Sequence, residues 1–95
     1  MNDEPASHIT GMNKVQIYTT GWCPYCYAAK ALLEEKGVPY EEVDVSNPQL
    51  RMDMAQRAHG RRTVPQIFIG DRHIGGYDEL ASLDREGRLD PYLTQ

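Results

Sequence analysis

No apolar run in this 95-residue chain approaches the roughly 20 residues needed to cross a bilayer, so no membrane association is expected. Met1 to Gly11 hold neither a basic leader nor an apolar stretch of signal-peptide length. Residues 1–12 are therefore read as a disordered tail ahead of one folded unit at 13–95, and a cytoplasmic location is the expectation. Cationic runs are missing too. Ten Lys and Arg against 14 Asp and Glu leave a formal charge of −4, with no electrostatic footprint for nucleic acid. Cysteine is scarce: there are two, which cannot complete a four-ligand zinc set. The three histidines, His8, His59 and His73, share no ligand spacing with each other or with the cysteines, so no metal site is expected and they are read as solvated side chains. At 40% hydrophobic content the length suits one small core and leaves no room for a second domain.

What the chain does have is Trp22-Cys23-Pro24-Tyr25-Cys26, which follows an apolar run and opens a helical pattern. Thiols three positions apart in a first helical turn lie on one face, within disulfide reach. Pro24 suits the first helical position, which makes Cys23 the cap residue. Its sulfur then faces unpaired N–H groups and the positive end of the helix dipole, where thiol pKa values fall from about 8.5 to roughly 3.5–7.5. Such a sulfur gains ionised fraction and loses intrinsic nucleophilicity by similar factors, so its rate of attack changes little, but it leaves a mixed disulfide faster. Cys26, one turn inside, lacks that field. In a cytosolic chain such a pair is more often redox-active or metal-binding than a structural staple.

The rest reads in order. Val15 to Tyr18 alternates as a strand, and a helix from Pro24 carries Ala28, Ala29, Leu32 and Leu33 on one face and stops at Gly37. Tyr40 to Val45 is a second strand, with Tyr40, Val43 and Val45 inward. Ser46-Asn47-Pro48-Gln49 offers a cap, a first-turn proline and a capping box for a second helix that buries Leu50, Met54 and Ala58 and ends near Gly60. Gln66 to Ile69, Gly70-Asp71 and Arg72 to Ile74 form a hairpin. A last helix runs from Tyr77 to Arg85 with Leu80 and Leu83 inward, and Asp90 to Gln95 is a tail whose Leu89, Tyr92 and Leu93 pack on the body. The order β-α-β-α-β-β-α combines one crossover, which forces parallel pairing, with a hairpin, which forces antiparallel pairing. The expected class is therefore α/β: a four-stranded mixed sheet flanked by three helices on both faces, the thioredoxin-like arrangement.

With Cys23-Pro24-Tyr25-Cys26, Thr63-Val64-Pro65 and Gly75-Gly76-Tyr77-Asp78-Glu79-Leu80 at these separations, the chain resembles a bacterial-type dithiol glutaredoxin over about Lys14 to Leu93. The resemblance implies a glutathione-dependent thiol–disulfide oxidoreductase with Cys23 as nucleophile and Cys26 as resolving thiol. It reduces protein disulfides with both cysteines and glutathione–protein mixed disulfides with Cys23 alone. Glutathione is the co-substrate, no cofactor is tightly bound, and the partners are disulfide-containing or glutathionylated proteins met by a monomer. Tyr25 would flank the tripeptide, and Pro65 would be a cis proline that aims the Val64 backbone at its cysteinyl unit. Tyr77 and Asp78 N–H groups would meet the γ-glutamyl carboxylate, and Asp78 or Glu79 its ammonium. Many relatives carry a lysine three residues before the first cysteine; Thr20 stands there instead. That leaves Arg51, Arg61 or Arg62 for the glycyl carboxylate, with Thr63 as a hydrogen-bonding neighbour.

Two rival readings remain at this level. One is a carrier in which Cys23 of two subunits and two glutathiones hold a [2Fe–2S] cluster, which Pro24 disfavours. The other is a thioredoxin-like reductase that does not use glutathione.

Overall fold

In the computed structural model residues 13–94 are described. The expected tail at 1–12, with His8, and Gln95 lie outside them. Strand β1 (Val15–Thr19) alternates, so Val15, Ile17 and Thr19 share a buried face while Gln16 and Tyr18 point to the other side. Cys23, in extended backbone, caps α1 (Pro24–Glu35). Ala29 and Leu33, four apart, are fully buried and Ala28 and Leu32 partly so. Gly37 then takes φ +71°. Its N–H donates to the Glu34 carbonyl and the Val38 N–H to that of Leu33 at 2.9 Å, the paired bonds that close a helix on a left-handed residue.

The crossover brings β2 (Glu41–Asp44) parallel to β1 at the edge of the sheet. This ladder is shorter than the Tyr40–Val45 expectation; Val45 is buried, but Tyr40 and Val43 only half so. Glu41 accepts from the Gln16 amide and pairs with Lys14, both at 3.0 Å. Glu42 accepts from the Thr19 hydroxyl at 2.7 Å and pairs with Lys30 at 3.0 Å, and Asp44 accepts from the Ser46 N–H at 2.7 Å. Gln16 and then Lys14, Thr19 and then Lys30, and Ser46 hold the three carboxyls, respectively, below their ordinary range.

Helix α2 (Pro48–Arg57) is capped by Asn47, whose side-chain oxygen accepts from the Gln49 N–H at 2.7 Å. The capping box expected from Ser46 and Gln49 does not form, because with Asn47 as cap Gln49 sits one position too early and turns forward to Asp53 instead. Met54 and Ala58 are buried as expected, but Leu50 is exposed like Met52: burial on this helix begins only at Met54.

β3 (Gln66–Ile69) is buried throughout and pairs antiparallel with β1 and with β4 (Arg72–Gly75), giving the order β2-β1-β3-β4. Ile67 and Ile69 join Val15, Ile17, Ala29, Leu33 and Leu80 of α3 (Tyr77–Arg85) in one core. On the opposite face the Arg57 guanidinium of α2 donates to Gln16 and Tyr18 and lies 4.1 Å from the Phe68 ring centre. The sheet is thus mixed, with helices on both faces. The expected C-terminal tail contains a short fourth helix, α4 (Asp90–Leu93), which buries Leu93 together with the preceding Leu89.

Gly75 has φ +121°, and a Cβ there would stand 2.6 Å from a Glu79 carboxylate oxygen. We expect Gly75→Ala to lower unfolding free energy by about 2–3 kcal/mol in urea titrations. Gly87→Ala, also at positive φ but with open space around it, should lose only about 1 kcal/mol.

Candidate active site

β1 ends at Thr19 and the chain turns through Trp22 into the cap of α1, so the two sulfurs sit at the C-terminal end of a central strand. Cys23 and Cys26 are joined as a disulfide with Cα atoms 5.2 Å apart. The Cys23 sulfur accepts from the Cys26 N–H at 3.1 Å, as a cap side chain does. Both cysteines are buried, Cys23 at 7% exposed and Cys26 at 2%, so the first residue is the more open of the two. Trp22, 84% exposed, and Tyr25 form an aromatic rim beside them.

Facing the sulfurs is the loop before β3. The Val64–Pro65 peptide is cis, and the Val64 carbonyl oxygen lies 3.8 Å from the Cys23 sulfur. A groove of about 230 Å³ runs alongside, lined by Tyr25, Arg61, Thr63 to Pro65, and Gly76 to Glu79. Gly76 makes the close approach: a Cβ there would come within 3.4 Å of the Pro65 carbonyl. Across the groove the Tyr25 and Tyr77 rings lie 6.3 Å apart. The first N–H groups of α3, at Tyr77 and Asp78, are among those a helix leaves without internal partners, an anion-binding arrangement.

The charged residues divide their work. Glu79 accepts from the Gly76 N–H at 2.6 Å and pairs with Arg61 at 3.5 Å. The Gly76 bond, then Arg61, keep its carboxyl below the usual range against partial burial. Asp78 is exposed on the groove wall. Arg51 and Arg62 line a different depression with Pro48 and Met52, where Arg51 donates to the Arg62 carbonyl at 2.9 Å.

Of the residues singled out in the sequence, the structure therefore brings Cys23, Cys26, Tyr25, Arg61, Thr63, Val64, Pro65, Tyr77, Asp78 and Glu79 together and leaves Arg51 and Arg62 outside the groove. One reading is corrected. His59 and His73 are not separately solvated, for their Nδ1 atoms are 3.1 Å apart and His73 also bonds the buried Gln66. Their contact joins residues 14 apart through the hairpin, which no local spacing reveals. The only trace in the sequence is a glutamine opening an otherwise apolar strand.

Residues 15–74 match the sequence model of the glutaredoxin family. Glutaredoxin 3 of Escherichia coli is 53% identical over 83 residues, 86% of this chain and 99% of that protein. The solution structure of glutaredoxin from Brucella melitensis aligns with a TM-score of 0.79 at 52% identity, covering 88% of this chain and 91% of the other. A buckwheat glutaredoxin solved as its glutathione complex aligns with a TM-score of 0.78 at 30% identity, covering 93% and 83%. With its cysteine pair set between a helix cap and a cis-proline loop, the chain belongs to the glutaredoxin family and is a glutathione-dependent thiol–disulfide oxidoreductase.

Proposed function

We propose that the two cysteines work in two modes and that the groove holds the glutathionyl group in both. In the first, the Cys23 thiolate attacks the glutathione sulfur of a glutathionylated protein. The protein leaves as a thiolate and Cys23 keeps the glutathione as a mixed disulfide. A second glutathione thiolate then attacks that sulfur, releasing glutathione disulfide and restoring Cys23. In the second, Cys23 forms a mixed disulfide with a protein disulfide, and Cys26 attacks Cys23 to free the reduced protein. The Cys23–Cys26 disulfide left behind is reduced by two glutathiones.

The observation that carries this reading is the groove itself, whose Val64 carbonyl lies 3.8 Å from the Cys23 sulfur and which offers partners for each part of an extended tripeptide. The Val64 backbone pairs with the cysteinyl unit. The Tyr77 and Asp78 N–H groups receive the γ-glutamyl carboxylate, and Asp78 its ammonium, since Glu79 is already committed to Gly76 and Arg61. Arg61 and Thr63 take the glycyl carboxylate. Arg51 acts from behind by holding the Arg62 carbonyl. Cap placement supports Cys23 as the low-pKa sulfur once the pair is reduced. Among the described residues no helix is long and apolar enough to cross a membrane, and a monomer in the cytoplasm, without a tightly held prosthetic group, fits the reading.

Cys26→Ser should keep activity on small glutathione mixed disulfides while losing reduction of protein disulfides, and Cys23→Ser should lose both. Parallel assays of the two substrates check this, and equal loss of both activities in Cys26→Ser would contradict the assigned roles. Asp78→Asn should raise the KM for a glutathione mixed disulfide about tenfold, the effect of one hydrogen bond to a charged group at about 1.5 kcal/mol, the low end of the range for an exposed residue.

A further inference from the structure

Behind the groove lies a chain of hydrogen bonds that the exchange chemistry does not use. Gln66, which follows the cis proline, is wholly buried. Its side-chain nitrogen donates to the Thr63 carbonyl at 3.1 Å and the Thr63 hydroxyl at 3.2 Å. Its oxygen lies 2.6 Å from Nε2 of His73 on β4, and Nδ1 of His73 lies 3.1 Å from Nδ1 of His59, just past α2.

The directions of these bonds follow from chemistry. A carbonyl only accepts, so the Gln66 amide must turn its nitrogen to Thr63 and its oxygen to His73. His73 must therefore carry a proton on Nε2. In its neutral form Nδ1 then holds a lone pair, and His59 donates to it from its own Nδ1. The ring of His73 stacks on Phe68 at 4.9 Å between centres, with the Arg57 guanidinium also over Phe68. Of the titratable and charged groups around His73, His59, Arg61 and Arg57 oppose a further proton and Glu79 favours one. Burial first, then His59, hold His73 below its ordinary value of 6.5. His59 itself is in left-handed backbone, at φ 59°.

We propose that His73 is a positioning residue for the groove: neutral and protonated on Nε2, it fixes the Gln66 amide, which in turn anchors the Thr63 backbone leading into Val64 and Pro65. Removing its donor leaves a buried amide oxygen without a partner and frees Gln66 to rotate off Thr63. A proton added at Nδ1 would set two donors face to face unless His59 shifts its own proton to Nε2, so acid loosens the His59–His73 contact. The depressed value also fixes the sign of the pH effect on stability. This contribution is present above 6.5 and is lost as pH falls through the lowered folded-state value.

This inference rests on the groove binding glutathione, so the wild-type protein is measured first with a small glutathione mixed disulfide. Saturation is expected; its absence would overturn both the binding reading and this one. If the wild type saturates, His73→Phe, which keeps a ring against Phe68, should raise KM about fivefold, the size of one ordinary hydrogen bond, with kcat changed less than about twofold. His73→Gln, whose amide can donate to Gln66, should recover most of that loss. An unchanged KM in His73→Phe, or equal impairment in both variants, would overturn the positioning role while leaving the groove reading intact. Imidazole ¹⁵N spectra of the wild type at pH 7 decide the matter even if a variant does not fold. They should show His73 protonated on Nε2 alone, and a proton on Nδ1 alone would end the proposal.

Discussion

A sulfur held where a helix leaves its N–H groups without partners is the constraint on which the rest of the molecule depends. Pro24 fixes the first turn without needing a bond of its own, Cys23 becomes the cap, and the Cys26 N–H meets its sulfur. Because α1 starts at the C-terminal end of the central strand β1, that sulfur sits at one end of the sheet, in a residue still 7% exposed. Everything reactive is then arranged around one atom. In the proposed exchange, once the pair is reduced, a field that favours its anion would lower its intrinsic reactivity in compensation and improve its departure from a mixed disulfide. An enzyme that must be loaded and unloaded in turn gains from such a leaving group.

The groove beside it is assembled from three pieces distant in sequence: the α1 cap, the loop before β3, and the start of α3. The close approach of Gly76 to the Pro65 carbonyl joins the second and third pieces. Glu79 supplies the tie between them, since one carboxylate accepts from the Gly76 N–H and pairs with Arg61. The groove's cation is thus held in place by an acid that completes a helix cap, and the neighbouring Asp78 is left exposed.

Local chemistry made the elements readable in the sequence. Pro24 after Cys23, Pro48 after Asn47, Gly37 after an apolar stripe and Gly70-Asp71 between two short runs each act within a few residues, and each marks a boundary that the structure has. Family resemblance then named the glutathione contacts, and all but Arg51 and Arg62 line the groove. What stayed hidden depended on packing between remote segments. Leu50 has the right spacing for the α2 core face, yet the sheet is met only from Met54 onward. Arg51 and Arg61 look equivalent as cations, but the turn after α2 directs one to a backbone carbonyl and the other to Glu79. His59 and His73 meet because β4 folds back beside β3 across from the end of α2.

The acidic outer strand has a consequence for how copies of this protein behave together. β2 carries Glu41, Glu42 and Asp44 along an open sheet edge, each held in its ionised form by a neighbour. Two such edges meeting would bring like charges into register just where backbone groups could otherwise pair. The neighbours that lower their pKa values keep these carboxyls charged where ordinary carboxylates begin to lose their charge, and pairing a second strand here would have to displace the Lys14 and Lys30 contacts or bury them.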